Sequence, residues 1–316
     1  MEANKKESLI GNLLLLLTAA IWGAAFPMQE RAAAFVGPFT LNAIRSLIGS
    51  LVLFLYICLR SRVRKQPVLP GDRKGKKQLV AAGVLCGVFL CIAVNFQQAA
   101  IGLYPENVIA SARGGFITAL YVVLVPIFEI FRGKKPTIPV AVSVPVAVAG
   151  LWLLCSQNGL SGLYTGDLIM LCCALAFTFQ ILCISSFGDR VDGVSLSCVQ
   201  FLVCGLLSLI PTLIFEHPSP AQLSGAAPSF LYLGVMSCAV AYTLQIVGQQ
   251  KSRNPTAASL IMSLESVFAA LFGVLFAVLG HKSASLSLRE IAGCLVMFSA
   301  IVLSQLPVGR SDKKAK

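Results

Sequence analysis

The chain has 316 residues, of which 57% are hydrophobic and only 12% are charged, and its mean hydropathy is +0.83. Soluble domains carry about 25% charged residues, so this composition excludes a soluble globular protein and indicates a polytopic, all-α membrane protein. The net charge of +12 does not indicate nucleic-acid binding, because the basic residues lie in short loops between apolar runs and form no basic face with an aromatic platform.

Ten apolar runs are long enough to cross a bilayer, which takes about 20 residues each. Short polar loops, often marked by Pro or Gly, separate these runs. The first run continues to about Met28, so we interpret it as a retained membrane span and not as a signal peptide. The predicted spans 1 to 10 are residues 9–28, 39–59, 79–101, 108–131, 137–155, 166–187, 195–215, 229–248, 256–279 and 287–306.

The basic residues predict the orientation of these spans. The N-terminus, the loops after spans 2, 4, 6 and 8, and the C-terminus together hold 20 of the 25 Lys and Arg residues. Because loops rich in Lys and Arg stay on the cytoplasmic side, both termini are predicted to be cytoplasmic. The run 60–77 carries eight of these charges and is predicted to anchor the protein at the anionic inner leaflet.

Two constant offsets relate the halves of the chain and predict an internal repeat. The first repeat is predicted to cover residues 1–155 and the second residues 156–316, with five helices each. Five is an odd number, so the second repeat starts on the other side of the membrane, which is the inverted-topology architecture of many secondary transporters. The matches include Gly11 with Gly166 and Arg45 with Gln200 at offset 155, and Cys91 with Cys238, Asn95 with Tyr242, and Gln98 with Gln245 at offset 147.

One carboxylate, Glu265, lies near the middle of the apolar run 254–280. A charged side chain at the bilayer centre costs about 3 kcal/mol on insertion scales and is by default a functional-site hypothesis. Glu265 is a candidate proton carrier or substrate ligand, and the alternative is a structural carboxylate that is neutral or paired with a neighbouring helix. Thr118 occupies the matched position in the first repeat, so a packing role common to both repeats does not explain Glu265.

Polar residues on spans 3 and 8 repeat at helical spacing. On span 3 they are Asn95 and Gln98, and on span 8 they are Tyr242 and Gln245, at matched positions of the predicted repeat. Uncharged amides and a phenol inside a bilayer need hydrogen-bond partners. This pattern favours a cavity wall that binds a polar solute, and the alternative is hydrogen bonding between helices.

Two arginines lie inside spans. Arg113, in the outer half of span 4, is predicted either to face a cavity or to extend toward the outer headgroups. Arg45 shares a helix face with Asn42 and Ser46 and is therefore predicted to face protein, with a role in helix-end hydrogen bonding or in gating. Among the aromatic residues, Trp22 is the best candidate to cover the apolar part of a substrate, the alternative being lipid contact or packing.

Metal, cofactor and catalytic signatures are missing from the sequence. The 11 cysteines are scattered and form no C-x-x-C motif, and the two histidines, His217 and His281, lie in predicted loops. No G-x-x-x-x-G-K-[ST] motif is present, so active transport would use a gradient or exchange. Glu265 is the only acidic residue deep in a span and no span contains histidine, so we do not expect an enzyme, a cofactor or a metal site.

Several stretches in order resemble the drug/metabolite transporter superfamily, specifically its ten-helix EamA-type members. The resemblance implies a central cavity lined mainly by spans 1, 3, 4, 6, 8 and 9, alternating access, and substrates such as amino acids, other metabolites and nucleotide sugars. The chain departs from the family pattern at Ser266, where proline is frequent, and at Gly133-Lys134 and Gly280-His281, where Gly-Glu is frequent. The stretches are A-A-I-W-G-A-A-F-P (19–27), N-A-I-R (42–45), S-A-R-G-G-F-I-T-A-L-Y-V-V-L-V-P (111–126), Y-L-G-V-M-S-C-A-V-A-Y-T-L-Q (232–245) and A-A-S-L-I-M-S-L-E-S-V-F-A-A-L (257–271).

These observations together predict a secondary transporter in the cell membrane, expected to be a bacterial cytoplasmic membrane, that exports amino acids or related polar or amphipathic metabolites. A zwitterion would place its carboxylate on Arg113 and its ammonium group on Glu265 or an amide. The alternative is a proton-coupled exporter of cationic or lipophilic drugs. A proton or a counter-substrate is the expected coupling partner, and the sequence leaves a monomer and a homodimer open. The predicted substrate ligands are Glu265, Arg113, Gln98, Gln245, Tyr242, Asn95 and Trp22.

Overall fold

A computed structural model describes residues 2–65, 70–104, 114–115, 117–133, 136–155, 164–279 and 288–304. Within these residues the secondary structure is helical, with no strand. The helices are α1 (Glu2–Ala33), α2 (Pro38–Arg64), α3 (Arg73–Leu103), α4 (Tyr121–Phe131), α5 (Ile138–Cys155), α6 (Thr165–Phe187), α7 (Gly193–Phe215), α8 (Pro220–Leu231), a π-helical stretch (Tyr232–Ala241), α9 (Tyr242–Ser252), α10 (Pro255–Met262), α11 (Glu265–Leu279) and α12 (Leu288–Ser304), with a short 3-10 turn at Gly188–Arg190.

The described helices agree with the predicted membrane architecture. Seven stretches are long and apolar enough to cross a membrane, and they coincide with predicted spans 1, 2, 3, 6, 7, 8 and 9. Shorter apolar helices lie in predicted spans 4, 5 and 10, at Tyr121–Phe131, Ile138–Gly150 and Ile291–Ala300. The all-helical class is therefore confirmed, whereas the count of ten spans and the cytoplasmic termini stay predictions.

Local sequence explains where several helices begin. Proline stands at the first position of α2, α8 and α10, where its missing N–H costs nothing. Asp72 caps α3 by accepting a hydrogen bond from the backbone N–H of Gly75, and Asp192 caps α7 through Ser195. These caps begin the helices at the polar edges of the apolar runs.

Three pairs of predicted repeat mates pack against each other. Helix α2 of span 2 contacts α7 of span 7, α4 of span 4 contacts α10 of span 9, and α5 of span 5 contacts α12 of span 10. Around these pairs, α3 packs on α6 and α7, while α1 packs on α9 and α11. The inverted repeat itself stays a prediction, but these contacts surround the centre of the molecule with helices from both halves.

Spans 4 and 9 are interrupted near their middles. Turns at Ala119–Leu120 and Ser263–Leu264 separate two helical segments in each span. At the second turn the N–H of Leu264 bonds to the carbonyl of Ile261, three residues back, which tightens the chain. The hydroxyl of Ser263 donates to the carbonyl of Leu260 at 2.7 Å and so competes with the helical pattern. The sequence predicted span 9 over residues 256–279 without a break, and it has Ser266 where proline is frequent in the family.

Helix α1 passes very close to the first turn of α11. A Cβ atom added to Gly23 would overlap the side chain of Phe268 and lie 2.8 Å from the backbone nitrogen of Ala269. Only glycine permits this approach without displacing one of the helices. The contact brings Trp22, the neighbour of Gly23, to the same region as Glu265, the first residue of α11.

Candidate functional site

A cavity lies at the centre of the described helices. Its empty volume is about 460 Å³. The cavity is lined by Trp22, Ala25, Phe26, Gln29, Arg45, Gln97, Thr118, Tyr121, Phe177, Ile181, Ser237, Tyr242, Gln245, Met262 and Glu265.

Glu265 lies on the lining of this cavity, and its side chain is buried, with the residue 4% exposed. Its carboxyl Oε1 accepts a hydrogen bond of 3.1 Å from the hydroxyl of Tyr121. Glu265 is the first residue of α11 and Tyr121 the first residue of α4, so the interruptions of spans 9 and 4 meet here. The N-terminus of a helix carries partial positive charge, which favours a carboxylate at this position.

An aromatic cluster forms another part of the wall. The rings of Trp22 and Tyr242 lie 4.6 Å apart between centroids, and Phe201 contacts Tyr242 edge to face at 5.0 Å. The indole N–H of Trp22 is buried and has no hydrogen-bond partner among the described residues. This cluster presents flat apolar surface to the cavity together with an available donor.

Gln245 also lines the cavity and belongs to a row of amides. Gln245 and Gln180 donate to each other's side-chain oxygens at 3.2 and 3.5 Å. Gln180 further approaches the side-chain oxygen of Gln200 at 3.4 Å. The row holds Gln245 in place, and it ties Gln200, the predicted repeat mate of Arg45, into a neutral network.

The structure places Asn95 and Gln98 elsewhere than on the described cavity lining. Asn95 accepts a hydrogen bond from Asn42 at 3.0 Å and donates to the hydroxyl of Ser208 at 2.9 Å, which joins α2, α3 and α7. Gln98 donates to the backbone carbonyl of Gln29 at 3.2 Å. The polar face of span 3 is therefore largely a helix-packing face, since buried amides serve interhelical bonding as well as cavities.

The neighbouring amide, Gln97, lines the cavity in place of Gln98. Its side chain donates to the hydroxyl of Thr118 at 3.4 Å. Helical periodicity defines a face only to within about one residue step of 100°, which is the angular difference between these two glutamines. Tyr121 was one of the aromatic candidates for covering the apolar part of a substrate but was not among the predicted ligands. It lies one turn after Thr118, the sequence mate of Glu265.

Arg113 lies outside the described residues. Among the residues that the structure describes, the arginine on the cavity lining is Arg45, which is 3% exposed. The sequence predicted a helix-end or gating role for Arg45 facing protein. Its exceptional position, a cation inside an apolar span, was the signal that could have identified it as a cavity residue.

Comparisons with known proteins identify the family. The sequence model of the EamA-like transporter family matches residues 9–156 and, a second time, residues 164–306. The chain belongs to the EamA-like transporter family. An uncharacterized transporter of Archaeoglobus fulgidus is 31% identical over 270 residues, which are 85% of this chain and 78% of that protein. The uncharacterized transporter YvbV of Bacillus subtilis is 23% identical over 297 residues, which are 92% of this chain and 90% of that protein.

The fold of this EamA-like transporter also resembles a solved crystal structure. The TM-score is 0.69 at 20% identity, over 95% of this chain and 98% of the other. Likeness at this identity shows the fold alone. The described cavity takes residues from spans 1, 3, 4, 6, 8 and 9, as the family resemblance implied, and Arg45 adds span 2. The protein is thus a multi-span membrane transporter with a polar central cavity.

Proposed function

We propose that this EamA-like transporter exports small polar or amphipathic metabolites, namely amino acids or related compounds, by alternating access. The observation that carries the proposal is Glu265, a buried carboxyl group on the wall of a central cavity between helices of both halves. A carboxylate bound only by a neutral hydroxyl among the described residues can accept a hydrogen bond from a substrate ammonium group.

The rest of the lining fits a substrate with polar and apolar parts. Gln97 and Gln245 offer amides at the wall, and Trp22, Phe177 and Tyr242 offer aromatic faces. Ligand sites commonly combine apolar walls with a few polar groups that orient the ligand. An amino acid with an apolar side chain has both kinds of surface.

The burial of the cavity lining supports a conformational cycle. All of the lining residues except Trp22 are buried, so alternating access requires the helices around the site to separate and admit a substrate. The turns at Ala119–Leu120 and Ser263–Leu264 divide spans 4 and 9 beside Tyr121 and Glu265, and interrupted helices at the midplane are the usual site of substrate binding in transporters built from repeats. Export across a bacterial cytoplasmic membrane, with both termini cytoplasmic, completes the proposal.

A second candidate function is the proton-coupled export of cationic or lipophilic drugs. The pairing of Glu265 with the rings of Trp22, Phe177 and Tyr242 on one wall favours it. Aromatic faces attract organic cations, and a carboxyl group can exchange a proton for such a cation. Both proposals assign the positive group of the substrate to Glu265. They differ in whether the substrate also carries a negative group, as an amino acid does and a cationic drug does not.

The test is flux in proteoliposomes with the Glu265→Gln variant. Vesicles are loaded with a radiolabelled mixture of L-amino acids, or with labelled tetraphenylphosphonium, and efflux is followed with and without a pH gradient. We expect amino-acid efflux by the wild type, and a decrease of at least about tenfold in the variant, the effect of losing 1.4 kcal/mol. Glu7→Gln is the control, because Glu7 is half exposed and is not part of the cavity lining. Its carboxylate pairs with the ammonium group of Lys251 at 3.8 Å.

Unchanged efflux in Glu265→Gln would contradict the assignment of the site. Efflux of tetraphenylphosphonium that depends on the pH gradient, without amino-acid efflux, would replace the main proposal with the second one.

A further inference from the structure

We propose that Arg45 binds the carboxylate of the substrate, so that the cavity selects compounds carrying a carboxylate and an ammonium group. The inference rests on the proposed function and deepens it, since it names the residue that binds the negatively charged group of the substrate. It also assigns to span 2 a role that the sequence suggested for Arg113 of span 4.

The first observation is the state of the Arg45 side chain. Arg45 is 3% exposed and is the only buried Lys or Arg among the residues whose burial is described. Its Nε is buried without a hydrogen-bond partner in the described part of the chain. A buried cation without a partner is unfavourable, so buried arginines are normally paired with a carboxylate. The unsatisfied donor points to an anionic group supplied by a ligand.

Other arginines show the usual arrangement. Arg60 binds Asp192 with both terminal nitrogens, at 3.2 and 3.1 Å, and Arg132 binds Glu129 at 3.0 Å. Both arginines lie near helix ends and are partly exposed. Carboxylates of the protein thus pair with the arginines at the helix ends. The guanidinium group of Arg45 on the cavity has no such carboxylate partner among the described residues.

The second observation is the position of the opposite charge. Arg45 and Glu265 line the same cavity, yet they form no ion pair or hydrogen bond with each other, although both lie in the described part of the chain. Direct pairing would satisfy both groups and leave the cavity without an unpaired charge. Two separated groups of opposite charge on one cavity wall match the two charges of a zwitterion.

The third observation concerns the remaining unsatisfied polar atoms of the wall. Trp22 contributes the indole N–H as a donor, and Gln29 contributes its side-chain amide oxygen as an acceptor. Both atoms are buried and have no partners among the described residues. A guanidinium group binds a carboxylate through parallel N–H donors, and the indole N–H can add another. Gln29 and Glu265 supply acceptors for an ammonium group. The lining therefore complements both ends of an amino acid.

The repeat mate of Arg45 provides an internal contrast. Gln200 is fully buried, and its side-chain oxygen accepts from Gln180 in the row of amides. A neutral amide therefore occupies the matched position in α7. The positive charge of Arg45 is therefore not required for packing in both halves.

The experiment compares each L-amino acid with its amide, which keeps the side chain and the ammonium group but loses the carboxylate. Thermal stabilisation of the purified, full-length protein is measured for wild type, Arg45→Gln, Arg45→Lys and the exposed control Arg31→Gln, and counterflow of the responding amino acid follows in proteoliposomes. We expect the wild type and Arg31→Gln to bind the acid at least about tenfold more tightly than the amide. Arg45→Gln should remove this preference, and Arg45→Lys should keep part of it.

Each outcome decides a different proposal. If the wild type binds or transports acid and amide equally, or if Arg45→Gln keeps the preference for the acid, the role of Arg45 is overturned while amino-acid transport stands. If the wild type neither binds nor transports any of these compounds, the proposed function is overturned together with it. Equal binding of acid and amide by the wild type overturns the role of Arg45 even if Arg45→Gln does not yield a monodisperse protein. If the wild type prefers the acid, a preference that Arg45→Lys retains in full also overturns this role.

Discussion

The α2–α7 pair and the interrupted spans 4 and 9 are both pairs of predicted repeat mates, but they place the contacts of their charged or carboxyl groups at opposite positions. Helices α2 and α7 are continuous over 27 and 23 residues and are joined by charged groups at both ends. At one end Arg60 pairs with Asp192, and at the other Glu216 accepts the backbone N–H groups of Phe39 and Thr40 at 3.1 and 2.7 Å.

Spans 4 and 9 place the contact of their carboxyl group in the middle instead. Tyr121 binds Glu265, and the hydroxyl of Ser266 donates to the backbone carbonyl of Gly115 at 3.1 Å. Charges at the ends of α2 and α7 are satisfied within the protein and stabilise a rigid pair. The charged group in the middle of span 9 has only a neutral partner among the described residues, so it remains available to a substrate.

The largest expected effect comes from removing the central contact with Tyr121→Phe. Glu265 then loses its donor, and a hydrogen bond to a charged group is worth about 1.5–3 kcal/mol. We expect the rate of substrate counterflow to fall by about tenfold or more. Tyr232→Phe is the matched control, because its hydroxyl makes a bond of the same length, 3.1 Å, to the carbonyl of Ile21 outside the cavity. Equal flux in the two variants would contradict a functional role of the central contact.

An intermediate effect, on stability alone, is expected from Glu216→Gln. The carboxylate of Glu216 accepts hydrogen bonds from two backbone N–H groups at the start of α2, where Gly37 offers no side-chain cap. The amide of glutamine has a single acceptor oxygen and no negative charge, so it can satisfy only one of these groups. We expect a loss of about 1 kcal/mol, seen as a lower melting temperature in detergent. Glu30→Gln, at an exposed position near the end of α1, controls for the change in net charge. A normal melting temperature in Glu216→Gln would show that the end contact does not stabilise the pair.

The smallest expected effect is that of Asp192→Asn at the other end of the pair. Burial opposes the ionisation of Asp192, but hydrogen bonds from Arg60 and Ser195 hold its pKa below the usual value of about 3.9. A lowered pKa in the folded protein contributes stability that is present above the unfolded pKa and is lost as the pH falls through the folded one.

We therefore expect Asp192→Asn to be less stable than the wild type at pH 7 by about 0.5 kcal/mol, as for a partly exposed pair, and to melt slightly lower. The difference should begin to shrink as the pH falls below about 4 and disappear once the pH is below the lowered pKa of Asp192. Asparagine still caps a helix, so the variant isolates the charge. Asp72→Asn is the control, since Asp72 caps α3 through Gly75 in the same way. A gap between wild type and Asp192→Asn that persists at low pH would contradict the ion-pair explanation.

Sequence reasoning reached part of the site. Trp22, Tyr242, Gln245 and Glu265 were predicted as ligands, and all four lie on the described cavity lining. Tyr242 and Gln245 share a face at helical spacing, and Glu265 is a solitary carboxylate in an apolar run, so both signals are local. The role of these residues in binding stays a proposal.

Other residues could not be placed from local signals. A polar face in a membrane helix serves packing as well as solute binding, so the pattern that contains Asn95 and Gln98 did not separate the two uses. The choice between Gln97 and Gln98 depends on how α3 rotates against α6 and α7. No proline or glycine in the sequence predicts the interruption at Ser263–Leu264. Serine side chains that hydrogen-bond to the preceding turn also occur in continuous helices, so they do not predict it either.

The sequence by itself determined the class, the family and the singular position of Glu265. Those properties depend on composition, on ordered motifs and on the cost of a charge in an apolar run, all of which are additive along the chain. Only the tertiary structure decided that Tyr121 binds Glu265 and that Arg45 lies on the same cavity without pairing to it. The direction of a side chain inside a membrane protein depends on which helices pack around it, and that arrangement is a property of the whole fold.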